Sequence, residues 1–205
     1  MALVSQIVDT LNRLRLLPLY ALMKVHPKHR FFDEERQNWY ASVLGKQNVP
    51  QNFRDNIYLL TLPEYRSVLY WRMGGLRYFI SWWAPGERVL HLVQPKDSVG
   101  PGLVIHHGHS SRVACKQIGR NCQIWHNVTT GIDRPLVGGR PIIGDNVRIC
   151  AGAIVLGGIK VGDNSTIAAG SVVLKNVPAN AVVAGNPALL VKLNGQKVVP
   201  PVPLT

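Results

Sequence analysis

Aliphatic residues recur at every sixth position through much of the second half of the chain. The pattern begins with Val93, Val99 and Ile105 and resumes at Ile118 and Ile124. It then runs through six consecutive periodic positions: Ile143, Ile149, Val155, Val161, Ile167 and Val173. A period of six fits neither an α-helix, with about 3.6 residues per turn, nor a half-buried β-strand, with about two. Six residues make one short strand and one corner, so the pattern predicts a parallel β-helix with these side chains stacked inside a triangular prism.

Two breaks in the period indicate loops. Thirteen residues separate Ile105 from Ile118, one more than two hexads, and thirteen also separate Thr130 from Ile143. The second interval is predicted to leave the coil at a corner, because it contains Asp133-Arg134-Pro135 and Gly138-Gly139-Arg140-Pro141. Insertions in repeat proteins tend to gather on the binding face. An ordinary β-sandwich, the alternative fold, would show alternation at every second residue instead.

The first part of the chain is predicted to be mainly α-helical. Three helices are expected: one with apolar Ile7, Leu11, Leu14 and Leu17 that ends or kinks at Pro18, one over Asp33–Leu44 that stops at Gly45, and one over Glu64–Met73 that starts near Pro63 and stops before Gly74-Gly75. The apolar segment Tyr78–Trp83 fits either a helix or a strand. The chain thus divides into a helical region over residues 1–90, a β-helix domain over residues 91–193 and a C-terminal tail over residues 194–205.

The formal net charge of the 205-residue chain is +12. Its basic residues are dispersed, and the densest patch is Lys24, Lys28, His29 and Arg30. Such a surface attracts polyanions of any kind, including nucleic acid, anionic lipid and phosphorylated cofactors. No nucleic-acid partner is predicted, because that function would rest on the charge alone.

The cysteines and the hydrophobic segments both favour a cytoplasmic protein. Cys115, Cys122 and Cys150 have no CxxC spacing, so neither a disulfide framework nor a zinc site is indicated. Residues 1–22 lack the continuous apolar core of a secretory signal. The most hydrophobic stretch, Tyr65–Ala84, contains three arginines, which are costly in hydrocarbon, so it is not predicted to span a membrane.

Several motifs between Val93 and Val191 resemble the hexapeptide-repeat acyltransferase superfamily. The most specific are Gly102-Leu103-Val104-Ile105-His106-His107-Gly108, Val128-Thr129-Thr130-Gly131, Ile143-Gly144-Asp145-Asn146-Val147, Ala169-Gly170-Ser171-Val172-Val173 and the closing Val182-Val183-Ala184-Gly185-Asn186-Pro187-Ala188. The most similar branch is the serine-acetyltransferase-like one, which includes O-acetyltransferases of capsule and exopolysaccharide synthesis. The resemblance implies a left-handed β-helix, a homotrimer, and acetyl-CoA as co-substrate with no metal required.

Acetyl transfer from a thioester to a hydroxyl needs a base beside that hydroxyl, and histidine suits this role because its pKa lies near neutral pH. The chain offers His106, His107, His109 and His126 near the start of the coils. In the family that the chain resembles, the catalytic histidine follows an aliphatic position and one further residue, which corresponds to His107 here. We therefore expect His107 to be the general base. His106 and His126 are further candidate active-site residues, although a histidine hydrogen-bonded at a coil corner is the alternative for each.

Three positions depart from the serine acetyltransferases. Their acidic residue before the catalytic histidine corresponds to His106, the acid that orients the histidine aligns near Leu92, and a second histidine in their inserted loop aligns with Arg140. The ammonium group of serine calls for a carboxylate, whereas a sugar hydroxyl does not. The expected acceptor is therefore a saccharide of capsule or exopolysaccharide type, with serine as the alternative. Arg140 is expected to contact a CoA phosphate or an acidic sugar.

The resemblance also implies a groove for acetyl-CoA between neighbouring subunits. Backbone amides of a β-helix can bind the amide-rich pantetheine arm like an added strand, and small residues let that arm approach. The implied cofactor-binding residues are Gly131, Ala151, Gly152, Ala169 and, for the phosphates, Lys175. The tight coil geometry would by itself also call for the small residues.

Three further hypotheses follow from the fold and the composition. A γ-class carbonic anhydrase needs two zinc-binding histidines five residues apart, and the histidines from His91 onward show no such pair. A non-enzymatic scaffold is disfavoured by His107 and by the closing motif. Finally, the basic and aromatic stretch Arg66–Trp83 is a candidate for peripheral contact with an anionic membrane surface, with an ordinary packed helix as the equally weighted alternative.

Overall fold

The computed structural model describes residues 6, 10–27, 29–45, 53–134 and 138–204, and the chain forms two compact units, Met1–Arg88 and Val89–Thr205. Ile7, Lys28 and Pro135, which entered the sequence predictions, lie outside the described residues. Within the described ranges, no helix is both long enough and apolar enough to cross a bilayer.

The first unit is helical, as predicted. Residues 10–14 are helical. The described part of the first unit also contains α1 (Leu17–Val25), α2 (His29–Leu44), α3 (Phe53–Thr61), α4 (Pro63–Met73) and the 3₁₀-helix Gly74–Phe79. The helical segment at residues 10–14 stops before Pro18, which then occupies the first turn of α1, where its missing N–H leaves no bond unmade. Gly45 and Gly74, with φ of +65° and +64°, follow the last residues of α2 and α4, as the sequence predicted. Helix α3 was not predicted.

The first part of the stretch that is a candidate for membrane contact, in helix α4, is packed inside the first unit. Arg66 donates from Nη1 to the carbonyl of Leu60 and from Nε and Nη2 to that of Pro85. Arg72 forms a buried ion pair of 2.8 Å with Glu35. The prediction of a membrane-facing stretch therefore does not apply to helix α4, whose arginines satisfy buried backbone and carboxylate groups.

The second unit is a left-handed parallel β-helix with three sheets. The first sheet contains β1 (Leu90–Leu92), β3 (Ser111–Val113), β6 (Thr129–Gly131), β9 (Ile154–Leu156) and β12 (Val172–Val173). The second contains β4 (Gln117–Ile118), β7 (Ile142–Ile143) and β10 (Lys160–Val161). The third contains β2 (Val104–Ile105), β5 (Gln123–Ile124), β8 (Arg148–Ile149), β11 (Thr166–Ile167), β13 (Ala181–Ala184), β14 (Leu189–Leu193) and β15 (Gln196–Pro203).

The predicted periodic residues form ladders inside the prism. Ile149 pairs with Ile167, and Ile143 with Val161, so one coil takes eighteen residues, or three hexads. All of the predicted periodic positions from Val99 to Val173 are buried. A second buried series lies four residues after the first and was not recognised in the sequence: Val147, Ala153, Ile159, Ser165, Ser171 and Val177. Two side chains per hexad therefore fill the interior.

The first predicted periodic position is wrong by one residue. Val93 is 40% exposed, whereas its neighbour Leu92 pairs with Val113 in the first sheet. A short 3₁₀-helix, Lys96–Ser98, then lengthens the path to Val99. The interval before Val99 is therefore seven residues instead of six. Counting back six positions from Val99 gives Val93, whereas Leu92 is the residue that pairs with the next coil.

The C-terminal residues close the β-helix with antiparallel strands. Strand β14 pairs with β13 and with β15, so most of residues 194–205, predicted as a tail, belong to a strand of the third sheet. Leu204, after β15, is buried. This hairpin ends the parallel ladder of the third sheet.

Candidate active site

The corner between β2 and β3 is longer than the corresponding corners of later coils. Ile105 pairs with Ile124, and Arg112 with Thr129, so seven residue steps in the first coil match five in the next. The following coils again take five steps, since Ile149 and Ile154 pair with Ile124 and Thr129. Two residues are therefore added at this corner. One is removed later in the coil, which explains why the interval from Ile105 to Ile118 exceeds two hexads by only one.

His107 and Gly108 lie in the lengthened corner. His107 is exposed and has a φ of +52°, a conformation that few residues other than glycine adopt. A Cβ added at Gly108 would lie 2.5 Å from Cγ2 of Ile105 and 3.2 Å from Cδ2 of Leu90. Only glycine lets the corner fold back this closely on the prism. The added residues thereby present the predicted base, His107, to solvent.

Three histidine rings lie close together at this corner. The rings of His109 and His126 stack with centroids 4.9 Å apart, and the His107 ring lies 6.3 Å from that of His126. Nδ1 of His126 is buried and has no hydrogen-bond partner among the described residues. In the part of the chain that the structure describes, no three His, Cys, Asp or Glu side chains are grouped as metal ligands would be. The structure thus places the predicted His126 beside His107.

His106 is held by packing against the next coil. Its ring stacks on Trp125 with centroids 4.2 Å apart, and its Nε2 lies 3.2 Å from Oε1 of Gln123. Because that oxygen only accepts, Nε2 carries the hydrogen. Burial lowers the pKa of His106, while the hydrogen bond to Gln123 opposes this effect. His106 is therefore an anchored, neutral side chain rather than a substitute for a carboxylate.

Trp125 and Gln123 were missed by the sequence predictions, although a signal for them existed. His106 and Trp125 each directly follow a periodic aliphatic residue, Ile105 and Ile124. Parallel strands in register place such residues next to each other, so alignment of the coils would have paired the two rings.

Three of the predicted cofactor residues lie at the same corner in later coils. Ala151 and Gly152 follow β8, and Ala169 follows β11, just as His126 follows β5. The amide of Gly152 donates to the carbonyl of His126 over 3.0 Å, and the amide of Gly170 donates to that of Ala151 over 2.9 Å. Gly152 has a φ of +70°, so its backbone conformation alone favours glycine. The small residues thus continue the histidine corner along the prism.

The other predicted residues lie at the opposite edge of the first sheet. Gly131 ends β6, Lys175 follows β12, and Arg140 precedes β7 in the second sheet. The loop before Arg140 adds seven residues, because Thr130 and Ile143 pair with Val155 and Val161, which are only six positions apart. A single chain therefore does not bring Arg140, Gly131 and Lys175 together with His107.

Gly131 is not explained by the coil itself. A Cβ added there would meet nothing within 4 Å, and its φ is not positive. Neither packing within the chain nor backbone strain requires glycine at this position. The expectation that coil geometry calls for every one of the small residues is thus wrong for Gly131, whose open surface is suited to the close approach of another molecule.

Comparisons with known proteins agree with this architecture. Residues 140–175 match the family described as bacterial transferase hexapeptide (six repeats). The chain is 43% identical over 109 residues to a serine acetyltransferase of Staphylococcus aureus. These aligned residues make up 52% of this chain and 51% of that protein. The chain is 44% identical over 107 residues to "Probable serine acetyltransferase 5" of Oryza sativa subsp. japonica, covering 51% and 32% respectively. The chain spans about half or less of the length of these curated relatives.

A solved structure extends the similarity to the first unit. The serine acetyltransferase of Brucella abortus strain S19 in complex with coenzyme A is 26% identical, with a TM-score of 0.57, over 87% of this chain and 72% of that one. These relatives contradict the predicted saccharide acceptor, because they are named as serine acetyltransferases. The prediction disfavoured serine because acidic residues are missing at His106 and Leu92, and because Arg140 stands where the family has a second histidine. The chain is nevertheless similar to serine acetyltransferases in sequence and in fold, and residues 140–175 match the hexapeptide transferase family.

Proposed function

We propose that the chain is an acetyl-CoA-dependent O-acetyltransferase whose acceptor is the hydroxyl of L-serine. The observation that carries this proposal is the identity of 43% to 44% with serine acetyltransferases over 107 to 109 residues, about half of the chain. The exposed position of His107 on a corner with two added residues supports it. The activity of the whole protein is a proposal, because the chain spans about half or less of the length of these relatives.

His107 acts as general base and then as general acid. It removes the proton of the serine hydroxyl while the hydroxyl oxygen attacks the carbonyl carbon of the thioester. The tetrahedral intermediate collapses by breaking its carbon–sulfur bond, which releases O-acetylserine. The imidazolium then returns the proton to the departing thiolate and gives free coenzyme A. The proton of serine thus ends on the thiol of coenzyme A, the acetyl group ends on the serine oxygen, and no further reagent is needed.

The neutral state of His106 is compatible with an amino acid acceptor. Because burial lowers its pKa, His106 stays uncharged near neutral pH. It therefore does not repel the ammonium group of serine, although it lacks the attraction that a carboxylate would supply. The stack on Trp125 fixes the ring beside His107, so the backbone that follows it is fixed as well.

Acetyl-CoA is proposed to lie along the small-residue corner and the open surface at Gly131. Ala151, Gly152 and Ala169 leave room for the pantetheine arm beside the histidines, and Arg140 and Lys175 would bind the phosphates. The two groups of residues lie at opposite edges of the first sheet. A homotrimer is proposed because a neighbouring copy can present its Gly131 edge to the His107 corner of this one, so that each site is completed by two copies.

A cytoplasmic location is proposed for the enzyme. Cys115, Cys122 and Cys150 are free thiols, which suits a reducing compartment. The contact with a membrane proposed from the sequence concerns the first unit and is independent of the chemistry at His107.

The proposal is tested by incubating the purified protein with acetyl-CoA and L-serine and following both thiol release and O-acetylserine. His107→Ala is expected to lower kcat by about 10² to 10⁴-fold. His109→Ala is the matched control, because His109 is exposed at the same corner and is not assigned to proton transfer. Full activity of His107→Ala, or absence of O-acetylserine from the wild-type reaction, would overturn the proposal.

A further inference from the structure

Five large apolar side chains within the eight residues 76–83 are exposed in the first unit. We call these side chains the aromatic patch: Leu76, Tyr78, Phe79, Trp82 and Trp83. Phe79 is 77% exposed, Trp82 73% and Tyr78 68%. Single exposed apolar residues are ordinary on a protein surface, whereas a contiguous aromatic group marks an interaction surface.

The polar atoms of the two tryptophans are bonded within the protein. Nε1 of Trp82 donates to the carbonyl of Phe79 over 3.1 Å, and Nε1 of Trp83 donates to that of Arg15 over 2.9 Å. The two indoles also pack edge to face, with centroids 5.6 Å apart. The rings are thus held in fixed orientations, so little side-chain freedom is lost when they are covered, and the surface that they leave exposed is apolar.

The surroundings of the aromatic patch are basic. From Tyr65 to Gly86 the sequence contains no Asp or Glu. Arg77 stacks over the ring of Tyr78 at 4.9 Å and donates to its hydroxyl over 3.0 Å. The other two arginines of this stretch are buried, so Arg77 is the cation that the stretch places at the patch. The chain as a whole carries a formal charge of +12.

We propose that the aromatic patch docks the first unit onto the headgroup region of an anionic lipid bilayer. Tryptophan, tyrosine and arginine side chains favour the boundary between headgroups and acyl chains, and basic residues are attracted to anionic lipid. Charge complementarity favours an anionic partner, because Arg77 lies at the patch, the sequence around it contains no carboxylate, and the chain as a whole carries a formal charge of +12. The inference goes beyond the proposed acetyl transfer and does not depend on it.

Vesicle co-sedimentation of the full chain tests the proposal. Wild-type protein is expected to sediment with vesicles of phosphatidylcholine containing one anionic lipid, phosphatidylglycerol, and to bind pure phosphatidylcholine vesicles more weakly. The double substitution Phe79→Ser and Trp82→Ser should weaken binding to the anionic vesicles by about tenfold or more, because both rings lose their apolar contact. Arg77→Gln should weaken binding and reduce its salt dependence.

Matched controls separate a specific patch from general charge. Lys197→Gln removes one exposed positive charge in the second unit, and Val199→Ser removes an exposed apolar side chain there; neither should change binding by more than about twofold. A blue shift of tryptophan emission on vesicle addition, reduced in Trp82→Phe, is expected as an independent signal. The proposal is overturned if wild-type protein does not sediment with anionic vesicles or if the double variant binds as well as wild type. A change in oligomeric mass of the double variant would assign the patch to self-association instead.

Discussion

Gly108 lies so close to Ile105 that an added Cβ would come within 2.5 Å of the Cγ2 atom of that isoleucine. Ile105 is buried and belongs to the interior ladder, so it cannot move aside without disturbing its neighbours. The contact joins the lengthened histidine corner to the core of the prism. The position of His107 therefore depends on a glycine that itself performs no chemistry.

Gly108→Ala is expected to lower both stability and activity. Because the added methyl group must displace Ile105 or the corner, the free energy of unfolding should fall by about 1 to 3 kcal/mol. The kcat for acetyl transfer should fall as His107 shifts. Urea unfolding and steady-state kinetics measure the two effects. Gly75→Ala is the control, since nothing lies within 4 Å of a Cβ there; equal behaviour of the two variants would contradict the explanation.

Gly131→Ala and Gly152→Ala should affect different properties. Gly131 has space for a Cβ and no positive φ, so its substitution should change the free energy of unfolding by less than about 0.5 kcal/mol while raising the KM for acetyl-CoA. Gly152 has a φ of +70°, so alanine there should destabilise the fold by about 1 kcal/mol. Calorimetric unfolding and acetyl-CoA titrations distinguish the two. An unchanged KM in Gly131→Ala would argue against cofactor contact at Gly131.

His106 should make the β-helix less stable in mild acid. Burial lowers its folded pKa below the unfolded value, so the unfolded chain binds the proton more readily. The contribution to stability is complete above the unfolded pKa, about 6.5, and is lost as the pH falls through the folded pKa. His106→Gln should remove this part of the acid sensitivity in urea unfolding measured between neutral pH and about pH 5. His91→Gln, at an exposed histidine, should retain it; the same pH profile in both variants would contradict this role.

The cysteines should differ in their reaction with a colorimetric thiol reagent. Burial raises the pKa of Cys115 to about 11 and that of Cys122 to about 12, so native protein at pH 8 presents almost no thiolate at either position. Burial also raises the pKa of Cys150, but that side chain is only half-buried. One thiol should react slowly in native protein and all three in denaturant. Rapid reaction of three thiols without denaturant would show that the prism is open.

The interior of the β-helix could be predicted because its residues repeat. Ile143 to Val173 occupy equivalent positions in successive hexads, and four of the six strands that hold them pair with a strand on each side, so sequence spacing and structure coincide. Val93 was assigned wrongly because the first coil has a neighbour on one side only and includes the 3₁₀-helix Lys96–Ser98. A six-residue period cannot place the residues of a coil that is longer than the coils after it.

The sequence supplied candidate site residues but could not predict which of them lie together. His107 and His126 lie at one corner, as expected for candidate active-site residues, whereas Arg140 lies at the far edge of the first sheet. The interval from Ile105 to Ile118 could not reveal the length of the histidine corner, because two residues are added near His107 and one is removed before Ile118. The saccharide acceptor was inferred from absent carboxylates, and an absent side chain identifies no substrate when other groups can bind the same molecule.

The lengthened corner between β2 and β3 leaves the ladder on either side of it undisturbed. Ile105 and Arg112 keep their partners in the next coil although the segment between them holds two more residues than its counterpart. The paired strands thus hold the scaffold, while the length of this corner can vary without changing them. A designer could exchange this turn for others of varied length and composition, and so change what the surface catalyses, while the same stacked scaffold holds each replacement in place.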